Sequence, residues 1–108
     1  MSDFELREYR RDDVPALSAL WTECFGDGPG FTEKFFAALP GMGSGVAAVR
    51  GGEILGAAYT LNAQELVCGE DVRRVGYIYG VGVGERFRGC GIGAALDAWK
   101  WRNGFVYV

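Results

Sequence analysis

The sequence predicts an α+β fold in which helices pack on a mostly antiparallel sheet. Two patterns in the chain predict it. Several segments alternate apolar and polar residues and are joined by glycine-containing turns, as the strands of antiparallel hairpins are. Other segments, before and after these, repeat apolar residues every three or four positions, which is typical of helices with one buried face. At 108 residues the chain has room for one small domain, which we expect to comprise residues 1–108.

A short strand and a helix open the chain. The alternation from Phe4 to Arg10 predicts the strand. Asp12 or Asp13 is then a helix N-cap, Pro15 suits the first turn, and Gly26 ends the helix. The predicted buried face of this helix consists of Leu17, Leu20, Trp21, Cys24 and Phe25.

A glycine-rich loop, residues 26–30, leads to a second helix that we expect to begin near Thr32 and to end before Pro40. Two acidic residues, Asp27 and Glu33, are either solvated here or available to a cationic ligand. The predicted buried residues of this helix are Phe35, Phe36 and Leu39.

Two hairpins follow. The first joins residues 45–50 to residues 53–63 through Gly51-Gly52, a dipeptide that suits a two-residue hairpin loop. The second pairs residues 64–68 with residues 72–83. A third helix, residues 93–102, has an apolar stripe, and Phe105–Val108 begins a fifth strand. The stripe consists of Ile92, Ala95, Leu96 and Trp99.

The turn between the last long strand and the third helix is the most distinctive part of the sequence. Three glycines at alternate positions remove the side chains that would keep a ligand away from the backbone. The free N–H groups of the helix's first turn and its dipole favour an anion, and two arginines add full positive charges. The turn therefore suits a phosphate or diphosphate. These residues are Arg86, Arg88, Gly89, Gly91 and Gly93.

Other glycine motifs fit this turn less well. A dinucleotide fingerprint needs Gly-x-Gly-x-x-Gly and an acidic residue about 20 positions later, but the spacing here is Gly-x-Gly-x-Gly. A P-loop needs Lys and then Ser or Thr after its last glycine, whereas Gly93 is followed by Ala94. The remaining alternative is a tight turn that binds no ligand.

The run Arg88-Gly89-Cys90-Gly91-Ile92-Gly93 fits the Arg/Gln-x-x-Gly-x-Gly/Ala signature of the GNAT-type N-acetyltransferases. The chain resembles this family in its neighbouring elements as well, since a strand, Tyr79 to Val83, precedes the motif and a helix follows it. The resemblance covers the N-terminal half of the family's domain, through the cofactor motif. The chain then stops as the fifth strand begins, so we expect a GNAT-like fold that is incomplete at its C-terminus.

The resemblance implies transfer of an acetyl group from acetyl-CoA, the implied cofactor, to the primary amine of a small molecule. The pyrophosphate of the coenzyme would lie on the backbone of residues 88–94, and the pantetheine arm would run beside residues 81–83. Gly80 and Gly82 suit a close approach to that backbone, although a plain bulge explains them equally. The cofactor-binding residues implied are Val81, Gly82, Val83, Arg86, Arg88, Gly89, Cys90, Gly91, Ile92, Gly93 and Ala94.

The amine must lose a proton before it can attack, and the candidates for this step are Glu65, Tyr77 and Tyr79. Strand alternation predicts that the two tyrosines share one face with Val81 and Val83. We take Tyr79 and Glu65 as the catalytic candidates, with a chain of water molecules as the alternative.

The early stop separates two functions. One is an active N-acetyltransferase, with a second copy of the chain completing the sheet as a homodimer. The other is a non-catalytic fragment that binds coenzyme A or a partner chain. An unpaired apolar strand near Val108 would leave an exposed sheet edge in either case.

Composition excludes several other classes. The chain has no histidine, so nucleophilic mechanisms and metal sites that require one are absent. Its three cysteines, Cys24, Cys68 and Cys90, are odd in number and far apart, which predicts neither a disulfide framework nor a metal site. No apolar run approaches the roughly 18 residues of a membrane span, and residues 1–5 show neither the basic nor the apolar region typical of a signal peptide. We expect a cytoplasmic protein with no membrane association.

The charge is unevenly distributed along the chain. The net charge is −3, but residues 73–108 hold six basic and two acidic residues, a net of +4, which leaves −7 for the remainder. A basic third suits a polyanion and an acidic remainder suits an amine, although ordinary solvated surface accounts for both. The basic residues are too few for nucleic-acid binding, which we do not expect.

Overall fold

The fold is given by a computed structural model that describes residues 3–102, with the side chains of residues 63–66, 73–76, 101 and 102 left out. The predicted fifth strand, Phe105–Val108, lies outside the described residues. The strands are β1 (Glu5–Glu8), β2 (Gly43–Arg50), β3 (Glu53–Cys68) and β4 (Asp71–Val83). The helices are α1 (Val14–Phe25), α2 (Pro29–Met42) and α3 (Ile92–Arg102).

The four strands form one antiparallel meander in the order β1-β2-β3-β4, which confirms the predicted fold class. Gly51 and Gly52 both have positive φ, 56° and 81°, as a primed two-residue hairpin turn requires. The sequence assigned residues 53–63 and 64–68 to separate hairpins, but they form one strand. The strand runs unbroken from Glu53 to Cys68, because a register shift near Leu61 absorbs the irregularity while pairing with β4 continues.

The N-terminus of α1 differs from the prediction. Asp13 precedes the helix, but its side chain makes no capping hydrogen bond. Its carboxylate instead accepts from the Arg7 guanidinium at 2.7 and 3.1 Å and from the Arg10 N–H at 2.6 Å. The hydrogen bond from Arg7 lowers the pKa of Asp13 below its usual value. At the other end the prediction was correct, since Gly26 ends the helix with φ of 82°.

Helix α2 is longer at both ends than the sequence predicted. It begins at Pro29, where a proline costs nothing because the first helical N–H groups have no partner. It passes through Pro40 and ends two residues later at Met42, so the missing proline donor is confined to the last turn. The predicted buried residues of α2 are confirmed, since Phe35, Phe36 and Leu39 are all buried.

The sheet separates two apolar clusters, because alternate residues of a strand point to opposite faces. Helices α1 and α2 cover one face and α3 covers the other. The first cluster comprises Leu17, Trp21, Phe35, Phe36, Leu39, Ala57 and Tyr59. The second comprises Val46, Ala48, Leu55, Ala58, Ile92 and Leu96.

One buried side chain was not anticipated. Lys100 on α3 is 1% exposed, and its Nζ lies 3.5 Å from the Ser44 Oγ. A lysine in the last turns of a helix ordinarily favours the C-terminal end of the helix dipole. Burial instead lowers the pKa of Lys100 from 10.5 to about 8, and the charge of Glu8 opposes part of that change.

A pair of glycine substitutions tests the close packing of β2 on β3. A Cβ added at Gly43 would overlap the Thr60 carbonyl oxygen, so Gly43→Ala must move one of the two strands. We expect a loss of about 1–3 kcal/mol in the free energy of unfolding. The control is Gly41→Ala, where no atom lies within 4 Å of the added Cβ and a helical alanine stabilises by roughly 0.5–1 kcal/mol. Urea denaturation measures both, and equal stability of the two variants would contradict the packing.

The buried lysine predicts a pH dependence of stability. Between pH about 8 and its ordinary pKa of 10.5, Lys100 carries a proton in the unfolded chain but not in the folded protein. The free energy of unfolding should therefore rise with pH in that window, by up to about 1.4 kcal/mol per pH unit. Urea denaturation across the window should show this rise in the wild type and a smaller one in Lys100→Met. The same pH dependence in both proteins would contradict the prediction.

Candidate functional site

The glycine turn leads into α3 as an open loop of backbone donors. Gly89 and Gly91 have φ of 84° and 79°, a conformation that favours glycine, and a Cβ added at either would have no atom within 4 Å. The first hydrogen bond of the helix runs from the Ala95 N–H to the Gly91 carbonyl at 3.0 Å. The N–H groups of Ile92, Gly93 and Ala94 precede that bond and therefore have no helical partner. The absence of side chains at Gly89 and Gly91 leaves space in front of this turn.

The two arginines predicted for this turn, Arg88 and Arg86, make different contacts. Arg88 folds back onto the end of β4, where its Nε donates to the Val83 carbonyl at 3.0 Å and its guanidinium lies 4.0 Å from the Cys24 Sγ. Arg86 stacks on the Phe87 ring at 5.3 Å and is exposed. The Nε of Arg88 thus holds the loop against the end of β4, and the rest of its exposed guanidinium lies beside the loop.

A third arginine, which sequence reasoning missed, belongs to the same surface. Arg50 at the end of β2 lies over the Phe87 ring at 5.4 Å, so one aromatic ring carries two guanidinium groups. Arg50 is distant in sequence, and only the pairing of β2 with β3 brings it here. Its ion pair with Asp3, at 3.1 Å, offsets part of its charge.

Tyr79 sits on a bulge of β4. Tyr59 pairs with Gly80 but its neighbour Thr60 pairs with Ile78, which leaves Tyr79 as the extra residue. The Tyr79 ring stacks on Trp21 at 5.9 Å and on Phe35 at 5.5 Å, on the face covered by α1 and α2.

The prediction that Tyr77 and Tyr79 share one face of β4 with Val81 and Val83 was therefore wrong. Val83 packs against the cluster beneath α3, on the opposite face from Tyr79. The inserted residue reverses the alternation, because side chains on the two sides of a bulge no longer share the period of two.

Gly80 and Gly82 face helix α1. A Cβ at Gly80 would lie 3.4 Å from the Trp21 ring, and one at Gly82 would lie 3.0 Å from the Cys24 Sγ. The two glycines therefore allow α1 to pack closely on β4. Strand β4 is one of the two edge strands of the sheet that residues 3–102 form, and its Val81 side chain is 39% exposed.

The two catalytic candidates do not lie together. Glu65 pairs with Arg74 near the far end of the β3–β4 hairpin, five residues along β3 from the level of Tyr79. At 3.2–3.4 Å per residue this separates them by about 16 Å along the strand. The Glu65 side chain lies outside the described residues.

Sequence reasoning also missed how the α1–α2 loop is held. The Trp21 indole N–H donates to the Asp27 carboxylate at 3.0 Å, and the Thr22 hydroxyl donates to the Asp27 carbonyl at 2.6 Å. Asp27, predicted to be solvated or available to a cationic ligand, is thus partly engaged by the helix before it. The six-residue spacing across a Gly-Asp-Gly turn was the available signal.

Two cavities lie near these elements. One of about 750 Å³ is bordered by α1, α2 and the start of β2, and it contains none of the predicted cofactor-binding residues. A smaller one of about 270 Å³ lies between α1 and the segment 84–87, beside the glycine turn. Within residues 3–102 no cluster of side chains could hold a metal ion, and no helix is long and apolar enough to cross a bilayer.

Comparison with known proteins identifies the family. The family profile described as "Acetyltransferase (GNAT) domain" matches residues 5–98. The chain belongs to the GNAT acetyltransferase family. The match extends from β1 into α3 and includes the glycine turn. No curated protein sequence matches the chain.

Solved structures share the GNAT fold with this chain at low sequence identity. A transcriptional regulator from Bacillus halodurans has a TM-score of 0.78 at 16% identity, covering 97% of this chain and 80% of its own. AAC(6')-Iy, solved with a bisubstrate analog of CoA and acetylneamine, has a TM-score of 0.68 at 20% identity. The match covers 98% of this chain and 77% of AAC(6')-Iy. The ribosomal-protein-S18-alanine N-acetyltransferase of Escherichia coli has a TM-score of 0.72 at 13% identity. The match covers 94% of this chain and 59% of that enzyme. Acetyl transfer is the general activity of this family.

Proposed function

We propose that this GNAT protein transfers the acetyl group of acetyl-CoA to the primary amine of a small molecule. The observation that carries the proposal is the run of unpartnered N–H groups at the start of α3, which follows directly from the edge strand β4. Diphosphate oxygens are the acceptors that such donors bind best, because the helix dipole adds to the hydrogen bonds.

The glycine turn fits the coenzyme's diphosphate. No atom lies within 4 Å of a Cβ built at Gly89 or Gly91. We assign the diphosphate to the backbone of residues 88–94. The exposed guanidinium groups of Arg86 and Arg88 add positive charge, and Arg50 extends that charge beyond the predicted set. Charge of this kind on exposed side chains is screened by salt, so we assign most of the affinity to the backbone donors.

Strand β4 supplies the second part of the site. Among the described residues β4 has no strand partner on the side away from β3, and an extended pantetheine arm can lie there beside Val81, Gly82 and Val83 as an added strand. Acetyl-CoA, when bound, supplies the acetyl group as a thioester whose carbon is attacked by the amine. A backbone N–H of β4 then stabilises the negative charge that develops on the carbonyl oxygen.

We assign the proton transfer to Tyr79. The attacking nitrogen forms its bond to the acetyl carbon, gives up a proton, and the coenzyme leaves as its thiol. The Tyr79 side chain is 43% exposed on the same bulge of β4, and its ring is held against Trp21 and Phe35. A hydroxyl on a fixed ring can pass a proton with little reorganisation. Glu65 is the alternative carboxylate.

The cofactor site is tested by Gly91→Glu. A side chain at φ of 79° is strained, and its carboxylate would repel phosphate from the turn. We expect the affinity for coenzyme A, measured by calorimetry, to fall by about 100-fold or more, since two or more charge-assisted hydrogen bonds are lost.

The control for this variant is Gly41→Glu, which adds the same side chain in α2, outside the predicted site. No atom lies within 4 Å of a Cβ added there, so the affinity should stay near the wild-type value. Equal affinity of the wild type and Gly91→Glu would exclude the glycine turn as the diphosphate site.

The role of Tyr79 is tested by Tyr79→Phe, which keeps the ring stack and removes the hydroxyl. If the hydroxyl moves the proton, kcat should fall by roughly 100-fold or more while the affinity for coenzyme A is unchanged. Thiol release over a panel of small primary amines measures the activity. Tyr77→Phe is the matched control, since Tyr77 is also an exposed tyrosine of β4.

An unchanged kcat in Tyr79→Phe would remove Tyr79 from the proton step and leave Glu65 or water. Coenzyme A binding by the wild type with no turnover of any amine would favour the alternative, a fragment that binds without catalysis. Mass measured in solution on the same sample would then show whether a second copy is needed for activity.

A further inference from the structure

The last turn of α1 holds the segment that leads from β4 to the glycine turn. The Glu23 carboxylate accepts a hydrogen bond from the Glu85 N–H at 2.7 Å, across 62 positions of sequence. Next to it, the Cys24 Sγ lies 3.5 Å from the Val83 carbonyl. Helix α1 therefore reaches the backbone of this segment at two consecutive residues.

Packing alone does not fix this segment. The cavity of about 270 Å³ lies beneath it, bordered by Glu23, Gly84 and Phe87 among others. The backbone of the segment is held instead by hydrogen bonds, from the Gly84 N–H to the Leu55 carbonyl at 2.8 Å and from the Glu85 N–H to Glu23. Loss of the hydrogen bond from Glu85 to Glu23 would let the start of the segment move toward that space, while Phe87 stays packed against the cluster beneath α3.

We propose that Glu23 is a positioning residue for the coenzyme site. Its carboxylate fixes the start of the segment, and through it the direction in which the N–H groups after Gly91 point. This inference rests on the proposed function, because it assigns Glu23 to the same diphosphate site. Glu23 belongs to α1, outside the cofactor motif, and touches neither the glycines nor the helix donors.

Because Glu23 is charged, the proposal predicts the direction in which each substitution changes the affinity for coenzyme A. A carboxylate near a diphosphate site repels the ligand, so removing the charge alone should strengthen binding. Losing the hydrogen bond should weaken it, because the donors of the turn would have to be ordered when the ligand binds. Glutamine keeps an oxygen that can accept from Glu85, whereas alanine removes both the charge and the acceptor.

The experiment measures coenzyme A affinity by calorimetry for the wild type, Glu23→Gln and Glu23→Ala. We expect Glu23→Gln to bind as tightly as the wild type or more tightly. Glu23→Ala should bind about fivefold to tenfold more weakly, the range of one typical intramolecular hydrogen bond. Glu23 is exposed, so both variants should fold, and circular dichroism checks this.

A control variant separates positioning from general stability. Arg7→Ala removes the ion pair of Arg7 with Asp13, at the other end of α1, and should lower the melting temperature without changing the affinity for coenzyme A. Hydrogen exchange of the unliganded protein adds a direct readout. Amides of residues 85–91 should exchange faster in Glu23→Ala than in the wild type, and those of β2 should not.

The outcomes are distinct. Tighter binding in both Glu23 variants would mean that the residue acts by charge alone, and unchanged binding in both would mean that it does not act on the site; either result overturns the inference. Unchanged exchange at residues 85–91 in Glu23→Ala would overturn it as well. If the wild type binds no coenzyme A, the proposed function fails and this inference fails with it.

Discussion

The close packing of α1 on β4 is the contact on which the rest of the structure depends. It is possible because β4 carries glycines where the helix crosses it, at Gly80 and Gly82. Trp21 fills the space so created and lies within 6 Å, centre to centre, of five other aromatic rings. These rings belong to Phe25, Phe31, Phe35, Tyr59 and Tyr79. A larger residue at either glycine would push the helix away, and the aromatic cluster would lose its centre.

That packing also links the two ends of the candidate site. The indole of Trp21 binds Asp27 in the loop after α1, while Glu23 on the last turn binds the segment before the glycine turn. A rigid helix thus sets the distance between an acidic loop and a run of backbone donors for anions. Because α1 rests on the same strand that carries Tyr79, the proposed proton-transfer group is held in that frame too.

The parts of the fold that sequence could predict are those decided by local chemistry. Gly26 ends α1 because its left-handed conformation favours glycine, and Gly51-Gly52 forms its turn for the same reason. The bulge at Tyr79 depends on how β4 pairs with β3, and no pattern within β4 marks the extra residue. The burial of Lys100 depends on α3 lying against β2, a contact between elements 56 positions apart.

The same distinction explains why the coenzyme site is easier to infer than the chemistry of the amine. Backbone donors follow from glycine spacing and a helix start, and they keep their direction whichever side chains surround them. A catalytic side chain must also lie on the correct face, and one inserted residue at Tyr79 decides that face for β4. The inserted residue turns the Tyr79 ring to the α1 side of β4. In this chain that side is aromatic, with Asp27 as a carboxylate at its edge. The proposed amine acceptor would meet stacked rings there as well as charge.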